Sequence, residues 1–291
     1  MKPLYLIELV TLAALWGASF LFMRMGAPEF GPVVLIFLRT GIAALFLLPI
    51  VLLTRKWKLI KENALLLFIV GVVGTALPFS LLSYAVLTVS AGYASILNAT
   101  APIFTAIIAW WWVRDELSFS AVMGLVVGFI GVFILAFDNQ GSSSGISFLP
   151  VMAGLGATFC YGVGANFTKQ KLGHVHPLAL ACGSQLGAAI SLLPLSIWLW
   201  PSQLPGQQAW ISVTFLGIAC TAFAFILYFR LIANVGVNKA ITVTYLIPFF
   251  GVIWGMIFLN EALTLFMLAG GLFILTGVAL STGIFNSRKF N

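Results

Sequence analysis

Tyr5-Leu-Ile-Glu-Leu-Val-Thr-Leu-Ala-Ala-Leu-Trp-Gly-Ala-Ser-Phe-Leu-Phe-Met-Arg-Met25 decides the fold. Its charges, Glu8 and Arg24, sit near the two ends, and nothing charged lies between them. A helix of about 20 such residues spans the roughly 30 Å hydrocarbon layer of a bilayer. The run has none of the apolar–polar alternation of a barrel strand. In lipid every backbone amide must be paired within its own segment, so a continuous apolar run becomes a helix. It is too long for a secretory h-region and lacks a clear small-residue cleavage site, so it reads as a retained first helix.

The composition extends this reading to the whole chain. Of 291 residues, 62% are apolar and 7% charged, with a mean hydropathy of +1.12. A soluble domain carries roughly 25% charged residues to hold water at its surface, so the solvent for most of this chain is hydrocarbon. The net charge of +7 fits basic loops on the cytoplasmic side of a membrane. No basic run is long enough for a phosphate-binding surface, and no nucleic-acid partner is expected. Cys160, Cys182 and Cys220 lie in apolar runs without metal-ligand spacing and read as small packing residues.

Ten apolar stretches are long enough to span: 5–25, 32–53, 64–86, 92–113, 119–137, 149–168, 177–200, 209–232, 238–259 and 265–284. Residues 138–145 form the one flexible linker. Placing successive loops on alternate sides puts twelve of the fourteen Lys and Arg with the N-terminus and leaves only Arg24 and Arg39 opposite. Both termini are then cytoplasmic, in what reads as a bacterial inner membrane.

An internal repeat sets the architecture. Shifted by 146 residues, Asp115-Glu-Leu-Ser118 falls on Glu261-Ala-Leu-Thr264, Pro102 on Pro248, Gly124 on Gly270 and Gly131 on Gly277. Shifted by 145, Trp16-Gly17 falls on Tyr161-Gly162, and Pro32 and Pro49 on Pro177 and Pro194. The expected fold is all-α and integral to the membrane, with ten transmembrane helices. They form two five-helix units, residues 1–140 and 146–291. An odd helix count inverts the second unit, a plan that holds substrate between the copies near the midplane.

Leu15-Trp-Gly-Ala-Ser-Phe20, the Arg39 region, Gly74-Thr-Ala76, Asp115-Glu-Leu-Ser118 and Glu261-Ala-Leu-Thr264 together resemble the drug/metabolite transporter superfamily, in its ten-helix branch with two EamA-type repeats. The resemblance covers nearly the whole chain. It implies a metabolite exporter, close to the amino-acid exporters, with a cavity lined by helices 1, 3, 4, 6, 8 and 9 and with helices 5 and 10 peripheral.

Polar residues within the spans mark the candidate pathway. Ser95, Asn98, Pro102 and Thr105 share one face of helix 4. Pro102 and Pro248 each leave a carbonyl without its amide partner midspan, so the two form a candidate pair of hinges, with Thr244 and Tyr245 beside the second. Trp16 and Ser19 on helix 1, Tyr161 on helix 6, Ser80, Ser83 and Tyr84 on helix 3, and Thr221 and Tyr228 on helix 8 complete the set. Packing by hydroxyl bonds between helices is the competing reading for each. Trp110-Trp-Trp112 reads as an interfacial belt. Gly124/Gly128, Gly183/Gly187 and Gly251/Gly255 have the spacing of close helix contacts.

No Asp, Glu or Lys falls at the centre of a span, and Glu8 sits where it can reach water. Arg39 lies about 10 Å along helix 2. It either snorkels outward, pairs with Glu29 or anchors a carboxylate, and its repeat mate Ser184 favours a structural role. Asp115 and Glu261 read as caps of helices 5 and 10. His174 and His176 read as solvated.

A cavity lined by aromatics and hydroxyls, with no central charge, suits small neutral or zwitterionic metabolites: amino acids, or aromatic and lipophilic compounds. Organic cations held on aromatic faces are the alternative cargo. A passive channel and a non-transporting membrane component are the alternative functions. No catalytic constellation, metal site or cofactor motif is present in the sequence, and the expected partners are a small-molecule substrate and the lipid bilayer, with monomer or homodimer left open.

Overall fold

Proline placement starts several helices: Pro32 and Pro177 open theirs, where a missing amide costs nothing. The computed structural model describes residues 3–114, 117–138 and 148–281, and no strand occurs among them. Among the described residues, eight helices are long and apolar enough to cross a membrane: α1 (Pro3–Phe30), α2 (Pro32–Leu53), α3 (Ala64–Ala85), α4 (Ala91–Trp112), α5 (Phe119–Ala136), α6 (Phe148–Lys171), α7 (Pro177–Trp198) and α8 (Gln207–Val235). Two shorter apolar helices follow, α9 (Val243–Leu259) and α10 (Leu265–Ser281). Short helices at Trp57–Glu62 and Val237–Ala240 precede α3 and α9.

Three helices widen into π turns among the described residues, at Val72–Ala76 in α3, Ala109–Val113 at the end of α4 and Ile218–Phe223 in α8. Such turns break the regular ladder and are frequent at functional sites. In α8 the Thr221 hydroxyl donates to the Leu216 carbonyl at 2.7 Å, five residues back. α4 is broken at Ala99–Thr100, with Pro102 at the start of its second half. In the second half the break falls at Ile241–Thr242, between Val237–Ala240 and α9, and Pro248 lies inside α9.

Helix contacts set the layout: α1 packs on α8 and α9, α6 on α3 and α4, α2 on α7, and α5 on α10. Small residues make the closest crossings. A Cβ at Gly17 would lie 2.6 Å from the Phe250 Cβ and 2.9 Å from the Gly251 amide, and one at Gly162 only 2.9 Å from the Phe104 carbonyl carbon. Between α5 and α10, Gly124 and Gly131 face the Gly277 and Gly270 carbonyls. Gly187 abuts Phe68, and Gly251 abuts Ser95. In lipid, such backbone approach is a main source of helix association. Trp110, Trp111 and Trp112 are all exposed.

Polar ties join helices at both ends of the bundle. Glu8, expected to reach water, is buried instead and pairs with Arg230 at 3.1 Å. Beside it, the Tyr5 hydroxyl donates to Asn234 at 3.0 Å. At the opposite end Arg24 donates to the Val86 carbonyl, and Glu29 accepts from the Gly206 amide at 2.5 Å. Glu261 caps a different helix from the one expected. Its carboxylate accepts the Ala91 and Gly92 amides of α4 at 2.8 and 3.2 Å, while Thr264 caps α10 through the Met267 amide. Asp115 and the 138–145 linker, Asp138 excepted, lie outside the described residues.

His176 caps α7, its Nδ1 accepting from the Leu178 amide at 3.2 Å, which requires a neutral ring. Burial, and secondarily Lys56, hold its pKa below the ordinary histidine value. The cap's stabilisation is therefore full above a pH of about 6.5 and is lost as pH falls through the lowered value. The melting midpoint of the wild type should drop more between neutral and acidic pH than that of His176→Ala.

Candidate functional site

Between these ties lies a cavity of about 510 Å³, within the usual range for small-molecule sites. α1 contributes Trp16, Ser19, Phe20 and Met23; α3 contributes Thr75, Phe79 and Leu82; α4 contributes Asn98. From the other half come Tyr161, Ala165 and Thr168 of α6, Thr221, Phe225 and Tyr228 of α8, and Thr244 and Ile247 of α9. α2 and α7 also reach it, through Arg39 and through Leu180 and Ser184, and no residue of α5 or α10 does.

The two ends of the cavity differ. Phe20, Met23, Arg39 and Leu82 form a fully buried end. Further along α1, Phe30 meets Trp210 edge-on at 5.0 Å. Toward the Glu8–Arg230 end, Thr168, Leu180 and Phe229 are half-buried and Ala165 is exposed. The cavity is sealed at the Arg39 end and opens toward the other.

Aromatic faces build its middle. Trp16 lies 5.2 Å from Tyr228 and 6.3 Å from Phe225, and Tyr161 meets Phe79 edge-on at 5.9 Å. The π turns of α3 and α8 reach the wall, through Thr75 and Thr221.

Arg39 departs most from the sequence reading. It neither snorkels outward nor pairs with Glu29, whose carboxylate is tied to Gly206. Its side chain is 2% exposed and lines the sealed end. Nε donates to Thr221 Oγ1 at 2.9 Å, Nη1 points at Met23 Sδ at 3.7 Å, and the guanidinium carbon lies 3.8 Å from the Phe79 ring centroid. The expected absence of fixed charge in the cavity is therefore corrected. The sequence signal was available: an arginine well inside an apolar span is costly to keep without a role.

A second, small void of about 40 Å³ lies between α4 and α9. Ser95, Asn98, Pro102, Thr244 and Pro248 line it, so both prolines face one space. Asn98 and Thr244 border this void and the main cavity, and Asn98 Oδ1 is buried without a partner among the described residues.

Of the residues singled out in the sequence, the cavity brings together Trp16, Ser19, Asn98, Tyr161, Thr221, Tyr228 and Thr244. The rest lie off its wall. Tyr84 is exposed on the bundle surface, and Ser80 and Ser83 have buried hydroxyls without partners among the described residues. Ser95 donates to the Gly92 carbonyl, Thr105 to the Ala101 carbonyl, and Tyr245 to the Val278 carbonyl of α10. Asn166, not among the residues singled out in the sequence, is buried and donates to the Thr105 carbonyl at 3.0 Å, tying α6 to α4.

A family model for the EamA-like transporter family matches residues 4–137 and again 148–283. The chain belongs to this family. Relatives of this EamA-like transporter align along nearly their full length. An uncharacterized transporter of Archaeoglobus fulgidus is 28% identical over 278 residues, covering 94% of this chain and 96% of the relative. The uncharacterized transporter YoaV of Bacillus subtilis is 24% identical over 287 residues, covering 98% of each. A "Probable terminal-alkyne amino-acid exporter" of Streptantibioticus cattleyicolor is 25% identical over 279 residues, covering 94% and 91%. A solved crystal structure with 17% identity superposes with a TM-score of 0.66, covering 99% of this chain and all of the other, and shows the same fold. The EamA-like transporter is thus a multi-pass helical membrane protein of a transporter family.

Proposed function

We propose that this protein is a secondary transporter that moves small metabolites, amino acids foremost, outward by alternating access. The observation that carries this is the cavity, walled by both halves of the chain, sealed at one end and open at the other. With Lys and Arg concentrated as the positive-inside rule requires, the open end is cytoplasmic, the loading side of an exporter in an inner membrane. The relative named "Probable terminal-alkyne amino-acid exporter" supports the choice of cargo.

The ten helices form two inverted repeats, residues 1–140 and 146–291. Several matched features support this. The π turns at Val72–Ala76 and Ile218–Phe223 are related by the 146-residue shift, as are the left-handed residues Arg114 (φ 59°) and Asn260 (φ 52°). Gly17 against α9 is matched by Gly162 against α4. The family model also matches the chain twice.

The prolines supply the moving part. The first half is broken at Ala99–Thr100, directly before Pro102, whereas the second half is broken at Ile241–Thr242 and Pro248 lies inside the helix that follows. A break set at a different distance from the proline in each copy is what alternation between two mirrored states produces, and the switch exchanges them. Pro102→Ala restores an amide at the break and should lower the turnover rate about tenfold, near 1.4 kcal/mol of barrier, with little change in KM. An unchanged rate in folded protein would sink the hinge.

Uptake of a labelled amino-acid panel into proteoliposomes tests the function itself. Saturable flux supports a carrier, and flux linear in concentration supports a channel. Absence of flux across the panel supports a non-transporting component.

A further inference from the structure

The cavity holds one feature that transport of an uncharged compound does not need. Arg39 brings a permanent positive charge to its sealed end, 2% exposed and with no acidic partner among the described residues. Its protein partners are weak for a guanidinium: a threonine hydroxyl, a thioether and a ring face. A guanidinium has five N–H donors. Nε and one donor of Nη1 are engaged, and Nη2 has no protein acceptor among the described residues. Keeping a buried cation so thinly paired is costly unless something else neutralises it.

We propose that Arg39 is the substrate anchor, and that the cargo is a compound bearing one carboxylate, zwitterionic amino acids included. The inference rests on the transport reading for what the cavity is for. A planar fork of N–H donors matches a carboxylate in two parallel bonds. Thr221 and Phe79 hold the fork in place from α8 and α3, so little ordering is left to binding. A phosphate ester carries more charge than one guanidinium neutralises, and no other Lys or Arg among the described residues lines the cavity. An organic cation meets the same guanidinium, with no carboxylate among the described residues of the wall to receive it. The ammonium of an amino acid fits lower down, on the faces of Trp16, Phe225 and Tyr228. Substrate entering from the open end thus leads with its carboxylate.

The repeat adds a direction. Shifted by 145 residues, Arg39 falls on Ser184, which also lines the cavity. The two halves therefore offer one charged and one neutral end, and the charged end is the one sealed here.

The test compares free amino acids with their carboxamides, as competitors of labelled amino-acid counterflow in proteoliposomes and as ligands raising the melting midpoint in detergent. In the wild type the free acid should compete at least tenfold better than the amide. In Arg39→Gln the acid's KM should rise at least tenfold and the acid–amide preference vanish, while Arg39→Lys retains part of it. Equal competition by acid and amide in the wild type would overturn the proposal, as would an unchanged acid KM in folded Arg39→Gln. If Arg39→Gln fails to fold, Arg39→Lys and the wild-type acid–amide ratio decide. If no compound is transported, the transport reading fails by itself, and the melting data still judge the anchor. Acids stabilising the wild type more than their amides keep it, and no difference removes it.

Discussion

Replacing Gly17 by Leu should abolish transport and lower the melting midpoint, while Gly41→Ala leaves both unchanged. A side chain at residue 17 begins 2.6 Å from the Phe250 Cβ, 2.9 Å from the Gly251 amide and 3.1 Å from the Ile247 carbonyl. Two of those three are backbone atoms, which cannot rotate away. The helices must part, and overpacking of this kind costs roughly 1–3 kcal/mol or more. At Gly41 no atom lies within 4 Å of an added Cβ, so the control has room. The effect reaches function because Trp16 is the neighbour of Gly17 and Ile247 lines the cavity from the facing helix. Separating α1 from α9 therefore opens the cavity wall itself. Gly162→Leu should reproduce the defect, since residue 162 meets the Phe104–Thr105 backbone in the same manner. Gly277→Val makes the contrast. It strains the α5–α10 contact at Gly124 and Gly128, away from any cavity residue, and should cost stability while the surviving protein still transports. Transport by proteoliposomes and melting at a fixed scan rate read both quantities. Normal flux through Gly17→Leu would mean that α1 and α9 do not form a tight wall.

Much of the fold was open to reading because lipid makes harsh demands on a chain. Apolar runs such as 5–25 and 32–53 have no other stable form, so their helices appear within a few residues of where hydropathy puts them. The cavity was half legible. Trp16, Asn98 and Tyr161 were found because a polar or aromatic residue in a repeat-matched position stands out. Ser80, Ser83 and Tyr84 were misplaced because period alone does not say which stripe of α3 faces inward. The π turn at Val72–Ala76 resets the register, and the inward stripe is Thr75, Phe79 and Leu82. Tyr245 misses the cavity by one position, its neighbour Thr244 taking the wall. Arg39 was judged from its own helix, where escape to the surface is the cheap solution. What holds it inside is Thr221, Phe79 and Met23, from three other helices and up to 182 residues away. No local pattern carries that information. Glu261 was misread for the same reason, its partners lying 170 residues back at the start of α4.

Reversing the charge of Arg230 should reduce the transport rate at least tenfold with KM little changed, and exchanging the two charges as Glu8→Arg with Arg230→Glu should restore much of it. Glu8 is 7% exposed, and its Oε2 has no partner among the described residues, so its charge depends on the 3.1 Å contact from Oε1 to Arg230. Arg230 is half-exposed and keeps water, which lowers the worth of the pair itself. The loss on Arg230→Glu comes from the other side: a buried carboxylate left alone and faced by a second one, a situation that costs roughly 3–5 kcal/mol when fully buried. Glu8→Gln keeps the shape without the charge and should be mild. The pair joins α1 to α8 at the open end, and the same two helices meet again at Trp16 and Tyr228, 5.2 Å apart in the cavity wall. Breaking the tie therefore changes how the mouth closes and leaves the wall's chemistry intact, so rate and affinity should separate. The Arg39 substitutions should show the opposite split, with KM moving most. A shared response, both parameters falling together in both sets, would mean that mouth and anchor act as one element.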